Sequence, residues 1–438
     1  MVAVAGAYGQ PASLETRFQE YLAAQRTVNQ FSGSVLVVKS GQVVLRTGVG
    51  LANREWEMAN TADTKFRLGS ITKQFTATAV MLLEQDGKLQ VEDSIDKHIA
   101  DAPEAWKKVT IHHLLSHTSG IPSYTSDPTY GREMYKPYPL PELIGRFRGK
   151  ALEFEPGEKW NYSNSGYVLL GAIIERASGM TYAEFLQKRI FGPLGMRNSG
   201  YDSWAAILMK RASGYSKGPG GSIVNAAYLD MSQPHAAGSL YSTVDDLLLW
   251  HKALLGEKVL PKAVLERMFT AVKNNYGYGW ATGTVDGKAM QSHGGGINGF
   301  ATFIGRIPSD DSLVVVLSNL QSANSQAVAL DLMQLADGKT VDLPKIRKEI
   351  SLSNDVFDAY VGKYEITPTF HLRVFRDGGR FLTQATGQGQ IEIFPESETK
   401  FFVKVMEAQL EFVKDADGKV TQLILYQGGR KTPGKKVE

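Results

Sequence analysis

The 438-residue chain contains no cysteine. That excludes disulfides, thiolate zinc sites and a cysteine nucleophile, and it leaves the redox compartment open. No apolar run is long enough to span a bilayer. An excess of one charge is missing too. The 48 Lys and Arg against 45 Asp and Glu give a net charge of +3, without a basic stripe, which argues against nucleic acid as a partner. The basic end, Lys431 to Lys436, is short and reads as a frayed terminus. Residues 1–10 lack the basic region and apolar core of an intact signal peptide, and Ala3-Val4-Ala5-Gly6-Ala7 is read as the stump of a removed one.

What is present suffices for a large core: 43% of residues are hydrophobic and 10% aromatic. The length exceeds what one core usually organises, so two domains are expected. A helix over Leu14 to Asn29 precedes two strand-like runs, Gly33 to Val38 and Gln42 to Val49, joined by Lys39-Ser40-Gly41 as a hairpin. Helical spacing of apolar residues then dominates: Ile71 to Gln85, Ile111 to Leu115, Gly166 to Ala177, Tyr182 to Ile190, Val244 to Leu255 and Pro261 to Thr270. Strands return at Gly279 to Gly283, Ala289 to Ser292, Ala301 to Ile307 and Ser312 to Ser318, and a helix closes the segment over Ser325 to Leu335. Strands at both ends with helices between them predict an α/β (α+β) sandwich: one antiparallel sheet flanked by helices, with an inserted helical subdomain. Residues 337–354 read as a linker between a domain at 12–336 and another at 355–438. In the latter the period becomes two, from Tyr360 to Tyr426, with one run expected over Phe401 to Val405. Short, evenly spaced strands suggest a small up-and-down barrel or sandwich.

Chemistry is concentrated in three short segments. Ser70-Ile71-Thr72-Lys73 opens a helix, and residues three apart share a helix face, so the Ser70 hydroxyl and the Lys73 amine can meet. A helix start also favours developing negative charge. An ordinary lysine, with a pKa of about 10.4, accepts no proton at neutral pH. Tyr162, in Tyr162-Ser163-Asn164, is the expected partner: a phenol beside an ammonium is stabilised as phenolate, and the two would titrate together. Asn164 could hold Lys73 or a substrate amide. The third segment, Ser292-His293-Gly294-Gly295-Gly296, ends a strand-like run. Its glycines allow close backbone approach, and an edge strand there can bind an extended substrate. The N–H groups of Ser70 and Gly296 are the expected oxyanion donors, with His293 on the leaving-group side and Gly295 along the substrate.

Taken in this order and spacing, these segments resemble the penicillin-recognising serine hydrolases: class C β-lactamases, D-alanyl-D-alanine carboxypeptidases, D-aminopeptidases and β-lactamase-like esterases. Leu114 to Pro122, Tyr162 to Gly171 and Ser242 to Leu247 look like the same family, and the resemblance spans roughly Leu14 to Leu335. It implies a β-lactamase-like fold, Ser70 as acylated nucleophile, Lys73 and Tyr162 as proton-transfer pair, Asn164 and His293 as substrate-side groups, and no cofactor or metal. It also implies a periplasmic or secreted location. The β-rich tail resembles the lipocalin-like module of some D-aminopeptidase relatives. His293 stands where β-lactamases usually carry the lysine of Lys-Thr-Gly. A neutral histidine supplies no fixed cation for a substrate carboxylate. The expected substrates are therefore small esters, amides or D-amino-acid peptides. A β-lactamase or carboxypeptidase, or a sensor that acylates without turnover, is the alternative.

Two further motifs are set aside. Gly214-Tyr215-Ser216-Lys217-Gly218 fits a nucleophile elbow but lacks the flanking strand and helix. His113 and His117 share zinc-helix spacing without the glutamate, so buried or capping histidines are expected there.

Overall fold

In the computed structural model, residues 12–404, 408–427 and 430–438 are described. The expectation for residues 1–10, and Val405 at the end of one expected strand, lie outside them. Helix α1 (Leu14–Asn29) leads into β1 (Gly33–Lys39) and β2 (Gln42–Val49). The hairpin turns at Ser40 and Gly41, both with positive φ, as a tight two-residue connection requires. Helix α2 (Thr72–Gln85), α3 (Asn164–Ser178) and α4 (Val244–Leu255) belong to the helical stretch. Strands β3 (Ala281–Val285), β4 (Lys288–Ile297), β5 (Phe300–Ile307) and β6 (Ser312–Ser318) follow, then α5 (Ser325–Ala336).

The six strands form one antiparallel sheet in the order β3-β4-β5-β6-β1-β2. Side chains alternate across a strand, and β1 and β6 divide their residues accordingly. Val35, Val37, Val314 and Val316 pack with Phe18 of α1 and Leu332 of α5. Leu36, Val38, Val315 and Leu317 face the other way, into the core that holds Phe75 and Val80 of α2. Helix α2 is thereby buried on nearly every side, as an apolar pattern all round a helix demands.

Lys345–Glu438 form a separate compact unit. A short helix, α6 (Asn354–Asp358), precedes eight strands: β7 (Gly362–Thr367), β8 (Phe370–Asp377), β9 (Arg380–Ala385), β10 (Gln390–Pro395), β11 (Lys400–Val403), β12 (Ala408–Lys414), β13 (Val420–Gln427) and β14 (Arg430–Lys436). Each pairs with the next and β14 returns to β7, closing an up-and-down barrel filled by Phe357, Tyr360, Phe381, Phe401 and Phe412. The basic end is thus the closing strand, not a frayed terminus. Its lysines mask a ladder made by main-chain pairing with β13 and β7. Among the described residues no helix is long and apolar enough to cross a membrane.

Candidate active site

Ser70 lies in a single 3-10 turn, Gly69–Ile71, that runs directly into α2. Lys73, one turn on, points its amine back along the same face, and its Nζ lies 3.1 Å from Ser70 Oγ. The amine also donates to Asn164 Oδ1 (2.9 Å) and to the Ala237 carbonyl (2.8 Å). Lys73 is fully buried, and no carboxylate among the described residues offsets that: burial pushes its pKa well below the usual lysine value. Asn164 opens α3, whose N-cap Ser163 accepts from the Gly166 N–H, and its Nδ2 donates to Thr125 Oγ1. Its Oδ1 is thus turned to the lysine.

Tyr162 arrives from the extended segment just before α3. Lys73 Nζ stands 4.8 Å from its ring centre. Its hydroxyl completes no hydrogen bond to a protein group, although Ser70 lies near enough to act on the phenol's pKa in the downward direction. Burial is the larger effect and pushes Tyr162 up. The anticipated phenolate–ammonium pair is therefore not what this buried pocket favours. Desolvation penalises both charged forms, the ammonium as well as the phenolate.

The glycine-rich segment lies inside β4, which continues to Ile297, beyond the Ser292 end expected for it. Consecutive glycines carry no side-chain pattern to reveal a strand, but the backbone pairs with β5 throughout, with Gly295 opposite Thr302 and Gly296 opposite Ala301. Pairing with β3 stops at Ser292, so the segment beyond it is bonded to β5 alone. Absent side chains bring it against the serine turn. A Cβ at Gly295 would lie 2.0 Å from the Leu68 carbonyl oxygen, and one at Gly69, where φ is +56°, would lie 3.0 Å from Gly296 N. Thr302 Oγ1 fixes the approach by donating to the same Leu68 carbonyl (2.7 Å).

Residues 15–337 match the family described as Beta-lactamase, and residues 347–436 match a domain of unknown function, DUF3471. The chain belongs to the β-lactamase family of penicillin-recognising serine hydrolases. A penicillin-binding protein of Bacillus subtilis (strain 168) is 30% identical over 427 residues, covering 92% of this chain and 94% of that protein. The octameric penicillin-binding protein homologue from Pyrococcus abyssi is similar in structure: TM-score 0.68, 30% identity, 96% of this chain and 99% of that one. The D-amino acid amidase from Ochrobactrum anthropi SV3 has a TM-score of 0.65 and 25% identity, over 75% of this chain and 99% of its own. As a member of this family the protein is a serine hydrolase.

His293 is buried, and both its ring nitrogens are engaged within the protein: Nδ1 donates to the Gly294 carbonyl (2.6 Å) and Nε2 accepts from the Tyr276 hydroxyl (2.8 Å). Burial, then Lys73, push its pKa down to about 4, so the ring is neutral. Other residues at the site have no sequence signal as strong. The Ala237 carbonyl, Tyr276 and Tyr167, whose ring is 5.3 Å from Lys73 Nζ, come from distant segments. His117 lies beyond the helix Ile111–Leu115 that carries His113, so the two do not share a helix face. His113 caps that helix through Thr110, whereas the His117 ring packs 4.2 Å from that of Tyr162. Ser216 lies on a hairpin strand, Tyr215–Lys217, with none of the strand-to-helix geometry of a nucleophile elbow.

Proposed function

We propose that this serine hydrolase works through an acyl-enzyme at Ser70 on small ester and amide substrates, D-amino-acid derivatives among them. The observation that carries the reading is the arrangement around Lys73 Nζ. A neutral amine has two N–H bonds and one lone pair. The Asn164 Oδ1 and Ala237 carbonyl oxygens only accept, so they take the two N–H bonds. The lone pair is left for the third neighbour, the Ser70 hydroxyl, which can donate. Lys73 then removes the proton as Ser70 attacks the substrate carbonyl. The resulting ammonium still has three acceptors around it. Tyr162 relays that proton to the leaving group, and a water repeats the sequence to release the acid. The Ser70 and Gly296 N–H groups hold the oxyanion.

Substrate class follows from His293. A neutral ring with both nitrogens bonded offers no cation to a substrate carboxylate. That supports esters and amides over carboxylate-ended β-lactams or D-Ala-D-Ala peptides, and it is in keeping with the likeness to a D-amino acid amidase. A panel of short-chain nitrophenyl esters, D- and L-amino acid anilides, a D-Ala-D-Ala peptide and a chromogenic cephalosporin tests it. Turnover is expected on the esters and D-anilides. Fastest turnover on the cephalosporin would overturn the substrate class. One stoichiometric acylation without turnover on any member would instead make the protein a sensor.

A further inference from the structure

His117 is wholly inside the protein, 1% exposed, and meets the segment that carries Tyr162 in three ways. Its carbonyl accepts from the Asn161 N–H (3.0 Å) and its Nδ1 from the Ser163 N–H (3.2 Å), so it holds the residues on both sides of Tyr162. Its ring packs on the Tyr162 ring at 4.2 Å between centres, tilted 36°, and lies 5.1 Å from Tyr167 and 4.9 Å from Tyr276. Because Nδ1 accepts, the ring's proton must sit on Nε2, which has no protein partner. The backbone at His117 is left-handed, φ +60°, a conformation that side-chain-bearing residues rarely adopt. A strained backbone and an unbonded buried N–H both cost stability.

From this geometry we infer that His117 is a positioning residue: its Nδ1 and ring fix Tyr162 in the orientation that relays protons between Lys73 and the leaving group. The inference rests on the roles proposed above for Ser70, Lys73 and Tyr162. Without the Nδ1 acceptor the Ser163 N–H is unpaired and the 161–163 segment can shift. Displacements of about 1 Å can cost roughly 100-fold in rate. Substrate binding need not change, because His117 is covered by the aromatic rings around it.

The test compares His117→Phe, His117→Asn, Tyr162→Phe and the double variant His117→Phe/Tyr162→Phe. Acylation rate, kcat and KM are measured on a nitrophenyl ester. Phe keeps a ring but has no acceptor. Asn tolerates the left-handed backbone and places Oδ1 near the position of Nδ1. His117→Phe is expected to slow acylation by roughly 10- to 100-fold with KM little changed, and His117→Asn to recover most of that loss. The double variant should be no slower than Tyr162→Phe alone, because the histidine acts through the tyrosine. If the Phe variant does not fold, His117→Leu, which also lacks an acceptor, replaces it. Multiplying effects in the double variant, or equal losses for Phe and Asn, would overturn the inference. So would wild-type acylation in His117→Phe while Tyr162→Phe is slow. A Tyr162→Phe protein as fast as wild type would instead remove the role assigned to Tyr162, and this inference with it.

Discussion

At the scale of the residue, the proposed chemistry depends on Lys73 being buried without a counter-charge among the described residues. Burial holds its folded pKa below the unfolded value, which favours the neutral amine that the proposed base requires. kcat/KM on a nitrophenyl ester should therefore fall as pH drops through the Lys73 pKa, with unit slope. Lys73→Arg keeps a cation that cannot deprotonate. It should lose roughly 100- to 10,000-fold in kcat/KM and show no Lys73-dependent acid limb. An Arg variant with the wild-type profile would assign the base elsewhere. Ser70, Lys73, Tyr162 and Asn164 were legible in the sequence because each pair of neighbours is one helical turn or one short segment apart. For His117 the sequence supports only a buried or capping histidine within the family-like segment Leu114 to Pro122. Nothing in a linear motif reports a ring packed against another across 45 residues of chain, and the Ala237 carbonyl carries no side-chain signature at all.

The scale of the element decides how the proposed second oxyanion donor, the Gly296 N–H, comes near Ser70. The serine turn and β4 touch because Gly69 and Gly295 leave room. Gly295→Ala forces its Cβ against the Leu68 and Thr302 oxygens, so β4 must move off the turn. A loss of roughly 100- to 1000-fold in kcat, the usual cost of one oxyanion donor, is expected with the far-UV circular dichroism unchanged. Gly294→Ala is the control, since its nearest neighbour is 3.8 Å away. Equal activity for the two variants would contradict the close approach. The extent of β4 itself could not be read in advance. Strand patterns come from alternating side chains, and three glycines in a row have none. The helices named from apolar spacing were legible to within a few residues, but Leu140–Arg148, which buries Leu143, Ile144 and Phe147, was not among them.

For the whole molecule, two compact units, Met1–Pro344 and Lys345–Glu438, correspond closely to the two matched families. The change of hydrophobic period near residue 355 made that division visible. The barrel's closure was not, because it depends on a last strand rich in lysine. Three of the buried histidines of the larger unit, His117, His251 and His293, contribute to its response to acid. His293 and His251 fall to about 4 through burial, and His117 is held well below its ordinary value. An unfolded histidine protonates near pH 6.5. As pH falls below that, the unfolded chain takes up protons that the folded one does not, and stability is lost. The melting temperature should therefore decline between about pH 6.5 and 5, before ordinary carboxylates titrate. A flat Tm over that range would show that these rings are not buried neutral.

The most direct test of a hydroxyl activated by a neutral lysine is the covalent intermediate itself. Intact-protein mass spectrometry after brief reaction with an activated ester, followed by peptide mapping, should find one acyl group per chain, on Ser70, and none on Ser70→Ala. Lys73→Arg should acylate far more slowly. Turnover that persists in the Ser70→Ala protein, or an acyl group mapped to any other residue, would contradict it.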